Sequence, residues 1–132
     1  MPCPRCGADV VAFVVPDGLH EHAPADMTAI CTRCLTTHAA ADAGADPEEP
    51  SAGSDPDLGA VDPAFPSGEA GVALALVCGL LESYALNRPG IETLLEHAER
   101  RGGDVFTFLE RLDAEEAAFD LTRRKQVLLD SM

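Results

Sequence analysis

The sequence has no tryptophan, one tyrosine and a single lysine, Lys125, among its nine basic residues. It lacks a long apolar run as well: the longest, from Val72 to Leu81, is some ten residues and too short to cross a bilayer. The start of the chain shows neither a charged n-region nor an apolar h-region, so the expectation is a cytoplasmic protein whose cysteines are not a secreted disulfide framework. There is no glycine-rich phosphate loop, no Gly-x-Ser-x-Gly elbow and no His-Glu-x-x-His. Nothing therefore points to an enzyme, and the acids are too numerous to single out a catalytic pair. Cationic residues are scarce too: 23 acids against nine basic residues give a net charge of −14. A nucleic-acid binder normally carries a basic stripe, whereas residues 1–38 hold Arg5 and Arg33 against Asp9, Asp17, Glu21 and Asp26.

What the chain does have is four cysteines near its start, Cys3 and Cys6 in Cys-Pro-Arg-Cys-Gly and Cys31 and Cys34 in Cys-Thr-Arg-Cys. Two Cys-x-x-Cys pairs, 24 residues apart, have the spacing of a tetrahedral thiolate site. Each pair can present two sulfurs to one ion at about 2.3 Å, and four soft ligands suit zinc first and iron second. Gly7 follows the first pair, where a left-handed backbone is often needed, and Pro4 stiffens the turn. Leu35 stands in the corresponding place after the second pair, a departure from the ideal knuckle. A thioredoxin-like redox pair has no βαβ pattern around it, and a second matched pair argues against it. Four cysteine ligands leave no open position for a substrate.

Residues 1–38 read as a zinc ribbon. Val10 to Val15 is a β-branched and aromatic run, Pro16-Asp17-Gly18 a turn, Leu19 to Ala23 a short second strand, Met27 to Cys31 a third, and Leu35 to His38 a last extended piece. So small a sheet should draw much of its folding energy from the metal. His20 and His22, two apart, would share one face of a strand and offer a second metal site, though solvated surface histidines are the plainer expectation. His38, four residues after Cys34, is a substitute ligand that four cysteines make unnecessary.

Residues 39–67 carry seven acids, five prolines and no lysine or arginine, and read as a flexible acidic linker. Residues 68–132 read as a bundle of three to four helices, making the whole an α+β protein. The first helix, apolar on all sides, should be the central one and run to about Leu86, where Asn87-Arg88-Pro89-Gly90 looks like a breaker. Cys78 lies inside it as a small core residue. Ile91, Leu94, Leu95 and Ala98 mark a second helix from about Pro89 to Arg101, stopped by Gly102. Asp104 caps a third, with Val105, Phe108, Leu109 and Leu112 on its inner face; after it either Asp113 or Asp120 opens a fourth, or the third helix runs on continuously. Arg123-Arg124-Lys125 is the only basic run. A nucleic-acid contact there competes with plain pairing to Asp120 and Glu116 near a helix C-terminus.

The high acid content with little lysine resembles haloarchaeal proteins, whose hydrated carboxylate surfaces stay soluble in concentrated salt. Cys3, Cys6, Cys31, Cys34 and the alanine-rich helical half together resemble a family of small uncharacterised haloarchaeal zinc-ribbon proteins. That resemblance implies a four-cysteine metal site at those positions and carries no activity. The ribbon alone looks like modules of transcription, translation and RNA-processing machinery, and Cys-Pro-Arg-Cys-Gly also resembles a rubredoxin knuckle. The expectation is a non-enzymatic protein-interaction adaptor of a halophilic archaeon. A nucleic-acid-associated factor and an iron electron carrier are the alternatives.

Overall fold

Val10–Val14 forms strand β1, as its branched run predicts, and pairs antiparallel with β2, Met27–Cys31, in the register Val10↔Cys31 and Phe13↔Thr28. A third strand, β3 at Thr37–Ala39, adds to the other side of β2, with Ile30↔Thr37 and Thr28↔Ala39 in register, giving the order β1-β2-β3. This computed structural model describes residues 3–43, 58–114, 117 and 119–130. Pro16-Asp17-Gly18 turns as expected, Gly18 taking φ +92° and Leu19 N–H donating to the Pro16 carbonyl at 3.1 Å. The segment after it is not a strand. His20–His22 is a single 3-10 turn, closed by the His22 N–H to Leu19 carbonyl and Ala23 N–H to His20 carbonyl bonds, and the Val15 N–H to Asp26 carbonyl bond joins the two ends of the excursion before β2. The last extended piece starts two residues later than expected, since Leu35 takes a left-handed backbone at φ +62°.

Of the stretch expected to be a linker, residues 44–57 lie outside the described residues. Ala40–Ala43 continues β3 as a 3-10 turn, and Leu58–Ala60 forms another. Beyond it the chain is anchored to the core. Leu58 and Phe65 are buried, Phe65 meets Phe108 edge to face at a centroid distance of 4.9 Å, and Asp62 accepts N–H bonds from Ala64 at 2.8 Å and Asp113 at 3.2 Å. Two apolar anchors and a satisfied carboxylate explain why acid- and proline-rich sequence is folded here.

Among the described residues four helices follow: α1 at Gly68–Leu81, α2 at Tyr84–Arg100, α3 at Val105–Arg111 and α4 at Leu121–Asp130. In α1 every residue from Ala70 to Cys78 is buried, as an all-apolar helix requires, and burial pushes the Cys78 thiol up to about 12. The break after α1 falls at Glu82-Ser83, not at the proline. Pro89 sits inside α2, near its start, where a missing N–H removes one ladder bond only. The Asn87 side chain ties that opening turn, donating to the Ser83 carbonyl at 3.0 Å, and Ile91, Leu94, Leu95 and Ala98 hold the helix on the core. Gly102 at φ +88° ends α2, Asp104 caps α3 through Thr107 N–H at 3.0 Å, and Asp120 caps α4 through Arg123 N–H at 3.1 Å. One hydrophobic core runs through sheet and helices: Phe13, Val15, Leu19, Ile30 and Leu35 belong to the same buried cluster as the α1, α2 and α3 side chains. The contact is close where Gly79 of α1 meets β3, since a Cβ at Gly79 would lie 2.0 Å from Thr37 Oγ1. No helix among the described residues is long and apolar enough to cross a membrane.

Candidate metal centre

The two cysteine knuckles are one local structure used twice, the second twenty-eight residues further on. In the first, Cys3 N–H donates to the Ala8 carbonyl at 2.7 Å, and Arg5 N–H points at Cys3 Sγ at 3.4 Å. In the second, Cys31 N–H donates to the Thr36 carbonyl at 3.0 Å, and Arg33 N–H points at Cys31 Sγ at 3.3 Å. The residue after each pair is left-handed, Gly7 at φ +80° and Leu35 at φ +62°. Leu35 therefore completes the knuckle shape that its side chain disfavours by about 1–2 kcal/mol. The side chain is fully buried in the main core, and that packing offsets the strain.

The fold brings the knuckles together from both ends. Strand β2 ends on Cys31, opposite Val10, which follows the first knuckle in β1. Thr32 clamps the join, its N–H and hydroxyl both donating to the Asp9 carbonyl at 2.9 and 2.8 Å. Arg5 reaches away from the site to Glu82, just past the end of α1, at 2.6 Å. As a result the sulfurs of Cys3, Cys6, Cys31 and Cys34 all lie within 4.8 Å of one another, those of Cys3, Cys31 and Cys34 on buried residues and that of Cys6 on an exposed one.

No two of these sulfurs are bonded: Cys3 and Cys34 are 3.8 Å apart, Cys6 and Cys31 3.3 Å. Four thiolates at about 2.3 Å from one ion in a tetrahedron would be about 3.8 Å apart, so the observed cage fits such an ion. The donor set is all sulfur, the choice of zinc or iron over magnesium or calcium. The four cysteines are positioned to bind one metal ion.

The thiols are not electrostatically alike. Burial pushes Cys3 up, but the backbone N–H groups of Cys6 and Arg5, with the side chains of Thr36 and His38, outweigh it and bring Cys3 down to about 6. Burial pushes Cys31 up to about 12, aided by its sulfur neighbours Cys6 and Cys34 and opposed by two backbone N–H groups. Binding a metal ion here would therefore require Cys31 to give up its proton.

Around the sulfurs stands an outer set that spacing alone did not reveal. The buried Thr36 hydroxyl lies 3.0 Å from Cys34 Sγ and 2.9 Å from His38 Nε2, which is itself 3.6 Å from Cys3 Sγ. Thiolates only accept hydrogen bonds, so with metal bound these groups turn their protons toward sulfur. His38 is thus a neighbour of the site and stands outside the group of four. The signal that would have found Thr36 is positional, since it matches Ala8 of the first knuckle.

Among the described residues His20 and His22 do not converge on a second metal site. His20 Nε2 lies 2.9 Å from the Val15 carbonyl and Nδ1 3.2 Å from Asp26, while His22 is packed against Gly90 of α2. On a 3-10 turn, residues two apart diverge, where a strand would have aligned them. Two residues of the basic run, Arg124 and Lys125, are also used internally. Arg124 sits 5.8 Å from the Tyr84 ring centroid and the Lys125 ammonium donates to the Leu112 carbonyl. The run lies in the first half of α4, so the helix C-terminus it supports is that of α3.

Residues 2–132 match the model of a family of unknown function, DUF6276. The chain belongs to the DUF6276 family. No curated protein and no solved structure matches it.

Proposed function

We propose that the protein is a non-enzymatic module built on one structural zinc ion, and that it serves as an adaptor binding another protein in the cytoplasm of a halophilic archaeon. The observation that carries the reading is the gathering of four cysteine sulfurs within 4.8 Å, a complete ligand set with no place kept for a substrate. Zinc is favoured over iron because closed four-thiolate tetrahedra are its usual structural site. A protein partner is favoured over nucleic acid by the charge of −14 and by the internal engagement of Arg124 and Lys125.

Elemental analysis of freshly purified protein tests the metal. About one zinc per chain and no visible absorption is the expected result; a red protein carrying iron would replace zinc with an electron-carrier reading. Capture from a high-salt lysate tests the adaptor. One partner in stoichiometric amount is expected, and a capture that returns the bait alone, or nucleic acid released by added salt, counts against it.

A further inference from the structure

Away from the cysteines, a shallow cleft of about 380 Å³ opens between the His20–His22 turn and the start of α2. Its floor and rim come from Glu21, His22, Leu80, Leu86, Pro89 and Gly90. His22 is the unusual group in it. Its side chain is 13 % exposed, and its Nε2 has no hydrogen-bond partner among the described residues; the Glu21 carboxylate, 77 % exposed, stands 3.4 Å from it, within ion-pair range but making no hydrogen bond. Gly90 provides the room for this ring, since a Cβ there would come 3.0 Å from His22 Nδ1. The ring nitrogen itself is covered, so the group that the cleft presents at this point is the exposed Glu21 carboxylate beside it.

The rest of the lining narrows the ligand. Leu86 is 85 % exposed, far more than any other large apolar side chain among the described residues. Asn87 and Thr93 also line the cleft, but their donors are already turned to the carbonyls of Ser83 and Pro89. The lining includes no lysine or arginine, and the chain as a whole carries −14. What the cleft offers a cation is the exposed Glu21 carboxylate, standing over the covered His22 ring and beside an uncovered leucine and a proline. A planar guanidinium offers parallel N–H donors to the two oxygens of such a carboxylate, and its aliphatic stem lies well on apolar surface.

We propose that this cleft takes an arginine side chain presented, next to an apolar residue, by the partner protein. The inference rests on the adaptor reading and adds the chemistry by which the partner is recognised. The probe is the capped dipeptide acetyl-Leu-Arg-amide, titrated into isotopically labelled full-length protein, with acetyl-Leu-citrulline-amide as the uncharged isostere. Saturable amide shifts confined to residues 21–22 and 86–93 are expected with arginine and absent with citrulline. Glu21→Gln should weaken binding about tenfold, and Leu86→Ala should weaken it less; both side chains are exposed, so the fold is retained. Equal binding of the two peptides, shifts spread over the acidic surface, or an unaltered Glu21→Gln variant would each overturn the proposal. Metal content measured on the same samples reports separately on the zinc reading. A fully metallated protein that ignores the arginine peptide loses the cleft and keeps the metal centre.

Discussion

The two knuckles share a backbone and differ in what surrounds them. Around the first, a side chain in place of Gly7 would meet nothing within 4 Å among the described residues, and its link to the helices is the half-exposed Arg5–Glu82 pair. Around the second, Leu35 is buried among the α-helical core residues and all its neighbouring ligand atoms are covered. One knuckle is therefore a surface turn and the other an extension of the core. An ion held by both would fasten the loose end of the sheet to the firm one, and the helices would feel its loss through Leu35.

The largest effect expected is that of removing the metal. Cys34→Ser, or a strong chelator, should lower the melting temperature of the helical far-ultraviolet signal together with that of the sheet, because the residue beside Cys34 lies in the common core. Helices that melt at an unchanged temperature after complete metal removal would mean that the two regions fold independently. Cys6→Ser, at the exposed ligand, should release metal with less disturbance to the metal-free core than Cys34→Ser.

Next in size is the exchange of side chains at the two left-handed positions. Leu35→Ala should cost about 2–4 kcal/mol in urea unfolding, through the cavity it leaves in the core. Leu35→Gly should be no worse than Leu35→Ala, although glycine usually costs about 0.5–1 kcal/mol more than alanine, because at φ +62° the backbone strain is relieved. Gly7→Ala should cost only the strain, about 1–2 kcal/mol, with no gain from packing. If Leu35→Gly proves clearly worse than Leu35→Ala, the equivalence of the knuckles fails.

A smaller but sharper probe lies where the sheet meets α1. Gly79→Ala would drive a methyl group into Thr37, the residue that follows the Thr36 sulfur contact, and should cost about 1–3 kcal/mol by overpacking. Because Thr37 also carries β3, the same variant should bind metal less tightly. Normal metal affinity in a destabilised Gly79→Ala protein would separate the helix–sheet contact from the site.

The four cysteines of the cage were legible from sequence because Cys-x-x-Cys geometry is decided within four residues. So were β1, β2 and the cap Asp104, each set by a local pattern and matched by one hydrogen bond or register, whereas the start of α4 stayed open between Asp113 and Asp120 until the Arg123 N–H bond to Asp120. What escaped is set by distant contacts. Leu35 goes left-handed because a core on the far side of the sheet receives it, and Pro89 stays helical because Ile91 and Leu94 bury against that core. Leu58 and Phe65 hide in an acidic, proline-rich stretch whose composition suggests no anchors. His20 and His22 were paired on the assumption of a strand; a one-turn change of secondary structure sent them to different neighbours.

The smallest effect is expected far from both knuckles, at the cap of α3. Thr107's backbone N–H, and then its hydroxyl, hold the Asp104 carboxyl below the usual carboxylate range. A carboxyl depressed in the folded state contributes stability in full above its unfolded value, near pH 4, and loses it as pH falls through the lower folded value. Asp104→Asn keeps an acceptor for the Thr107 N–H but removes that acid-side dependence, so wild type and variant should converge in stability as the pH drops toward 2 and part above 4. Measured on the metal-loaded protein, the comparison gains a second use. If sheet and helices are one cooperative unit, the cap variant at neutral pH should also surrender metal to a chelator slightly more readily, although some seventy residues of chain separate Asp104 from Cys34. A cap that alters helix stability and leaves chelation untouched would place a boundary between α3 and the second knuckle, and the firm end of the sheet would then be held by α1 alone.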